Sequence, residues 1–183
     1  MSDAYWELVS VLAHFDGADN STTFTEETGK TFTRQGDAKI MTTQSKFGGS
    51  SLYLDGTGDY LTLPTSWDLS PSAFDWTVEF WFYRADTTNR SLVGARPSSS
   101  QYGWMVLQIV SNKFRFMVGS NNSWAFTVAG TATLSETTWY HVAIVRTRGI
   151  IKVYLNGVAD ITSSAIAAGT PVLDTNTNFN IRS

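Results

Sequence analysis

From Lys113 to Val118 the chain alternates without a break: Phe114, Phe116 and Val118 fall on one side of an extended backbone, Lys113, Arg115 and Met117 on the other. Side chains at every second residue share a face only in a β-strand, so this run predicts a strand with one buried face. Similar short runs recur at Trp76–Tyr83, Ser91–Ala95, Gly103–Val110, Trp124–Val128, Trp139–Arg146, Ile150–Leu155, Val158–Ile161 and Phe179–Ile181. Earlier pieces are shorter: Lys30–Thr33, Ala38–Met41, Ser51–Leu54 and Tyr60–Leu63. Asp55-Gly56-Thr57-Gly58-Asp59 joins the last two as a strand–turn–strand unit. Tyr5–Phe15 reads as a first strand with apolar residues on both faces, stopped at Asp16-Gly17. Asn112, Arg148-Gly149 and Asn156-Gly157 carry tight-turn chemistry. Helical periodicity is absent, and strands without crossover helices bury their faces only sheet against sheet. The expected fold class is therefore all-β, a two-sheet antiparallel β-sandwich, in one domain over residues 1–183.

Charged residues are 16% of the chain and the formal net charge is −3, against about 25% charged in an ordinary domain. The polar surface must then be mostly Ser, Thr, Asn and Gln, which suits neutral, hydroxyl-rich partners. It does not suit nucleic acid, whose backbone needs clustered Lys and Arg. Arg146, Arg148 and Lys152 read as ordinary solvated positions. No run approaches the roughly eighteen apolar residues of a membrane-spanning helix. Met1-Ser2-Asp3 has neither the basic start nor the apolar run of a signal peptide. With no cysteine, disulfides and cysteine-ligated zinc are excluded, and compartment is left open. Aromatic residues make up 14% of the chain; a thick core is their first use, sugar stacking a second.

Six segments occur in a telling order: Leu12-Ala13-His14-Phe15-Asp16-Gly17, Lys46-Phe47-Gly48-Gly49-Ser50-Ser51-Leu52-Tyr53-Leu54-Asp55-Gly56, Asp59-Tyr60-Leu61, Phe74-Asp75-Trp76-Thr77-Val78-Glu79-Phe80-Trp81-Phe82, Thr138-Trp139-Tyr140-His141-Val142-Ala143 and Tyr154-Leu155-Asn156-Gly157-Val158. Together they resemble the concanavalin A-like lectin/glucanase superfamily. The closer resemblance is to its laminin-G-like jelly-roll form, found in bacteriophage tail and virion proteins and in bacterial surface proteins. The resemblance implies a non-enzymatic module at a virion or extracellular cell surface, adhering to glycan or surface protein. A structural domain of a phage particle, contacting other virion proteins or copies of itself, is the alternative; a glycan-cleaving enzyme is the second. The family pattern usually continues with one more strand after Asn180-Ile181, beside the first. This chain ends at Ser183, so that strand is expected to be missing.

A glycosidase of this kind needs two carboxylates facing one cleft. Glu79 is the only carboxylate inside Thr77–Tyr83 and Asp75 lies at the strand entry, so no catalytic residue is assigned. His14 and His141 are read as structural residues of strands. The best ligand-binding match is the pair of loops holding Arg96, Gln101, Tyr102, Trp104, Asn121, Asn122 and Trp124. There Tyr102 or Trp124 would stack on a sugar face while Arg96, Asn121 and Asn122 bond its hydroxyls. Core filling by Trp104 and Trp124 is the competing reading. No cofactor is required. Calcium is the one candidate, through Asp55 and Asp59, with Asp16, Asp19 and Asp37 in the earlier loops. Aspartates that cap backbone N–H groups of a turn are the favoured reading of the Asp55–Asp59 segment.

Overall fold

The structure, a computed structural model, describes residues 4–63, 75–95, 105–120, 123–164 and 179–182. Among the described residues, thirteen strands follow a 3₁₀ turn at Trp6–Leu8: β1 Thr33–Gln35, β2 Lys39–Met41, β3 Ser51–Tyr53, β4 Tyr60–Leu63, β5 Trp76–Arg84, β6 Arg90–Ala95, β7 Met105–Val110, β8 Lys113–Ser120, β9 Ser123–Ala129, β10 Thr138–Thr147, β11 Ile150–Leu155, β12 Val158–Thr162 and β13 Phe179–Arg182. A seven-stranded sheet runs β1-β4-β13-β6-β7-β8-β9, a four-stranded sheet β12-β11-β10-β5, and β2 pairs with β3 alone. All pairings are antiparallel. The expected β-sandwich is what the chain forms.

Alternation sets the core. Leu107, Ile109, Phe114, Phe116 and Val118 of the large sheet meet Tyr140, Val142, Ile144, Ile151 and Val153 of the small one. Phe82 links the layers, stacked on Tyr140 at 5.6 Å and 6.1 Å from Phe114. Three two-residue turns fix the registers. Ser111-Asn112, Arg148-Gly149 and Asn156-Gly157 all have positive φ at both residues. Turns of that kind twist with the strands they join. On β5, Val78, Phe80 and Phe82 pack against the core. Thr77, Glu79, Trp81 and Tyr83 therefore lie on the opposite, outer face.

Two expectations are corrected. Tyr5–Phe15 is not a strand: it holds the 3₁₀ turn and then runs on without a ladder. Side chains meet three of its backbone groups instead. Glu26 Oε1 accepts from Leu12 N–H at 2.9 Å, Thr28 Oγ1 donates to Ser10 O at 2.9 Å, and Ser50 Oγ donates to Phe15 O at 3.1 Å. His14 is accordingly exposed rather than held in a strand. Burial raises the Glu26 carboxyl, yet the Thr28 hydroxyl and the N–H groups of Lys30, Leu12 and Thr28 outweigh it, and the group ionises below its ordinary range. Second, β3 and β4 do not form a hairpin. β3 pairs with β2, whereas β4 pairs with β1 and β13. Their glycine-rich link thus carries the chain from the small hairpin into the large sheet. Phe179–Arg182 enters that sheet between β4 and β6.

Candidate functional site

The outer face of the four-stranded sheet carries a row of outward-pointing rings. The β5–β10 register sets Trp81 opposite His141, Tyr83 opposite Trp139, and Glu79 opposite Ala143. Trp81 and His141 lie 5.2 Å apart, Tyr83 and Trp139 5.5 Å. Ala143 also faces Tyr154 on β11. Its methyl group leaves space between larger neighbours, and there His141 Nε2 comes to 3.7 Å from Glu79 Oε2. Asn156, in the β11–β12 turn, continues the row: its Oδ1 accepts from the His141 N–H at 2.9 Å, and its own N–H donates to the His141 carbonyl at 2.9 Å.

The loop between β2 and β3 completes the row from outside the sheet. Phe47 stands edge-on to Trp81 at 5.8 Å. The Lys46 ammonium lies 4.2 Å from the centre of the Trp81 ring and 5.9 Å from that of Phe47. Phe47 remains 67% exposed and Trp81 39%. Phe47 is held rather than loose. The Gly49 N–H donates to its carbonyl at 2.8 Å, and Ser51 Oγ donates to Gln44 O at 2.7 Å across the loop. Gly48 has φ +65°, and a Cβ there would fall 1.9 Å from Asp16 Oδ1, so both conformation and space favour a glycine at this turn.

The acidic residues gather elsewhere. One carboxylate oxygen from each of Asp37, Asp55 and Asp59 lies within 4.8 Å of the others. Asp59 is only 3% exposed. Its Oδ1 accepts from Asp37 N–H at 2.8 Å, its Oδ2 from Asp55 N–H at 3.1 Å, and Asp55 Oδ1 from Thr57 N–H at 2.6 Å. The turn therefore caps itself as the sequence suggested, although not as a hairpin. Oxygens so placed are also the kind a hard cation takes, each acceptor keeping a spare lone pair. Asp37 joins this group, whereas Asp16 packs against Gly48 and Asp19 caps Thr42 N–H at 3.0 Å.

Burial works to raise the Asp59 carboxyl, but the N–H groups of Asp55 and Asp37 and the charge of Arg34 hold it below its usual 3.8. A carboxyl depressed in the folded state contributes stability above its unfolded pKa and loses it as pH falls through the folded value. Denaturation midpoints measured from pH 7 downward should thus fall below about pH 4. Asp59→Asn should flatten that acid limb and cost about 1–3 kcal/mol at pH 7, since an amide cannot accept from both N–H groups.

Of the loop site expected from sequence, only Trp124 falls among the described residues. Arg96, Gln101, Tyr102, Trp104, Asn121 and Asn122 lie outside the described residues. Trp124 is half-buried on β9, in the other sheet. Sequence reasoning missed Lys46, Phe47 and Trp81, and treated Glu79 and His141 separately. One signal was available: Glu79 shares its parity with Trp81, and a carboxylate marks the solvent side of a strand.

A laminin G family model, described as the Concanavalin A-like lectin/glucanases superfamily, matches residues 55–183. No curated protein matches the chain in sequence. Among solved structures, the binding domain of Paraclostridial Mosquitocidal Protein 1 is similar at 13% identity and TM-score 0.66, over 92% of this chain and 44% of that one. Domain 4 of an extracellular arabinanase from Geobacillus stearothermophilus, in complex with arabinotriose, is similar at 20% identity and TM-score 0.61, over 93% and 83%. Domains LG4-5 of the mouse laminin alpha1 chain give 16% identity and TM-score 0.52, over 67% and 31%. The chain spans less than half the length of the first and third. At these identities the likeness is one of fold.

Proposed function

This chain belongs to the concanavalin A-like lectin/glucanase superfamily, and from that premise we propose that it is a non-catalytic binding module that adheres to a glycan or a protein at a cell or virion surface. The supporting observation is the outward aromatic row of the small sheet. Large rings left in water on one tied surface serve contact with something else. The binding domain of Paraclostridial Mosquitocidal Protein 1 and an arabinanase domain solved with arabinotriose share the fold, which supports the reading.

Catalysis gains no support from the same face. Paired glycosidase carboxylates stand about 5–9.5 Å apart. The neighbours of Glu79 on its face are Thr77, Trp81, Ala143 and His141. Asp75 is four residues along the strand, about 13 Å at strand rise. Its Oδ1 already accepts from Arg146 Nη1 at 3.2 Å and Arg148 N–H at 2.8 Å.

We take binding to need no cofactor, because the aromatic row is built from residues other than Asp37, Asp55 and Asp59. A glycan array and a panel of immobilised surface proteins, each probed with calcium and with chelator, test the reading. Saturable binding that survives chelation is expected. Binding lost on chelation would instead give Asp37, Asp55 and Asp59 a metal. Silence on both panels would leave an assembly domain without a ligand.

A further inference from the structure

We propose that the Trp81 row is a subsite for neutral, uncharged oligosaccharides, with the Trp81 and Phe47 rings as its floor and Lys46, His141 and Glu79 as its hydroxyl partners. This deepens the binding-module reading and rests on it, adding the place and the chemical class of the ligand.

Three features of the row carry the inference. The first is shape and preorganisation. Phe47 and Trp81 come from distant parts of the chain, yet meet at 5.8 Å and keep much of their surface in water. The loop hydrogen bonds and the Gly48 turn hold Phe47 in that position before any ligand arrives. A rigid aromatic surface loses little conformational entropy on binding, which is how small polar ligands are held. The apolar C–H face of a sugar ring is the natural partner for such a surface.

The second feature is the arrangement of polar groups. Lys46 sits over the Trp81 ring at 4.2 Å and offers only donors. His141, 5.2 Å from Trp81, reaches Glu79, which offers only acceptors. A sugar at Trp81 thus has both donors and an acceptor near the ring for its hydroxyls.

The third feature is charge. Lys46 and Glu79 carry opposite formal charges, which cancel. An acidic sugar would gain at Lys46 but be opposed at Glu79, on a chain whose net charge is −3. A cationic ligand would be repelled by the Lys46 ammonium beside Trp81. Only an uncharged, hydroxyl-rich ligand meets no opposing charge. A protein partner is disfavoured by size, since a stable protein interface takes about 800 Å² from each side and this row is a few side chains wide.

The test is titration calorimetry together with NMR of the indole N–H signals. The probes are maltotriose, cellotriose, xylotriose and arabinotriose, with trigalacturonate and sialyllactose as acidic counterparts. At least one neutral trisaccharide should bind and shift the Trp81 signal. Trp81→Ala should weaken it about tenfold or more, the loss of one good stacking surface and its contacts. Glu79→Gln should weaken it a few-fold, and the acidic sugars should not bind. Trp81→Phe keeps a ring and should retain binding within a few-fold, which guards the test should Trp81→Ala misfold. Neutral binding unaltered by Trp81→Ala would overturn the site while leaving the module reading intact. Tighter binding of an acidic sugar would overturn the class. If no trisaccharide binds, the proposal fails, and the surface-protein panel decides separately whether the module reading fails with it.

Discussion

Arg84→Met should destabilise the fold by about 3 kcal/mol or more, since three acceptors lose their donor at about 1–3 kcal/mol each. Arg84 ends β5 and is only 3% exposed. Its Nε donates to Asp86 O at 2.8 Å, its Nη1 to Leu134 O, and its Nη2 to Asn112 Oδ1 at 2.5 Å. These partners are two main-chain carbonyls and an amide, none of them ionised. One guanidinium thereby ties the end of β5 to the β7–β8 turn and to the approach to β10. The Leu134 N–H in turn donates to Asn112 O at 2.8 Å. Methionine fills similar volume and leaves three acceptors unmet, each costing about 1–3 kcal/mol if water stays out. Arg84→Lys should lose less, because an ammonium retains the charge but cannot reach all three in a planar fork. Equilibrium urea denaturation with the three proteins reads this directly. A methionine variant within 1 kcal/mol of the parent would mean that water repairs the gap.

The fold was legible where alternation and turn chemistry agreed. Phe114, Phe116 and Val118 are buried as their spacing required, and Asn156-Gly157 makes the tight turn its type demands. The sequence misled where a side chain replaced a strand partner. Val11, Ala13 and Phe15 do pack on the core, so the apolar spacing was real. Glu26, Thr28 and Ser50 take the bonds that a ladder would have taken. Nothing local distinguishes these cases, since both leave the backbone extended. Likewise Leu52 and Leu61 belong to different sheets, although a glycine-rich link between short strands looks like a hairpin.

The candidate site was less legible, for a topological reason. On β5, aromatic residues occupy both parities: Phe80 and Phe82 point inward, Trp81 and Tyr83 outward. Composition alone reads all four as core. Phe47 and Trp81 meet because the β2–β3 loop reaches the small sheet. Glu79 and His141 meet because β5 and β10 pair in one register across sixty positions. Neither pairing can be deduced from spacing along the chain. The Asp37–Asp55–Asp59 group has the same origin: Asp37 reaches the others only because Gln35 pairs with Tyr60.

Gly94 lies in the middle strand of three, facing Asn180 of β13 on one side and Val106 of β7 on the other. A Cβ added there would stand 2.8 Å from the Met105 carbonyl oxygen and 3.3 Å from Val106 Cα. The nearest obstructing atom is a main-chain oxygen, and a rotamer change of Val106, whose Cγ2 lies at 3.3 Å, does not relieve it; β6 and β7 would have to separate. Gly94→Ala should therefore cost about 2–3 kcal/mol, as overpacking of a tight interior does. For a domain of this size each kcal/mol lowers Tm by roughly 2–4 °C, so calorimetry should find a fall of about 4–12 °C. The larger Gly94→Val should leave little folded protein. Gly157→Ala separates space from backbone strain: φ there is +82°, but nothing lies within 4 Å of the new methyl group. It should cost only about 1–2 kcal/mol of left-handed strain. Gly94 has no positive φ, so alanine there relaxes no strain and would stabilise by about 0.4–1 kcal/mol if the space existed. The sign of the change at Gly94 is thus decided by the β6–β7 approach alone, and a variant melting with or above the parent would show that the two strands stand further apart in solution.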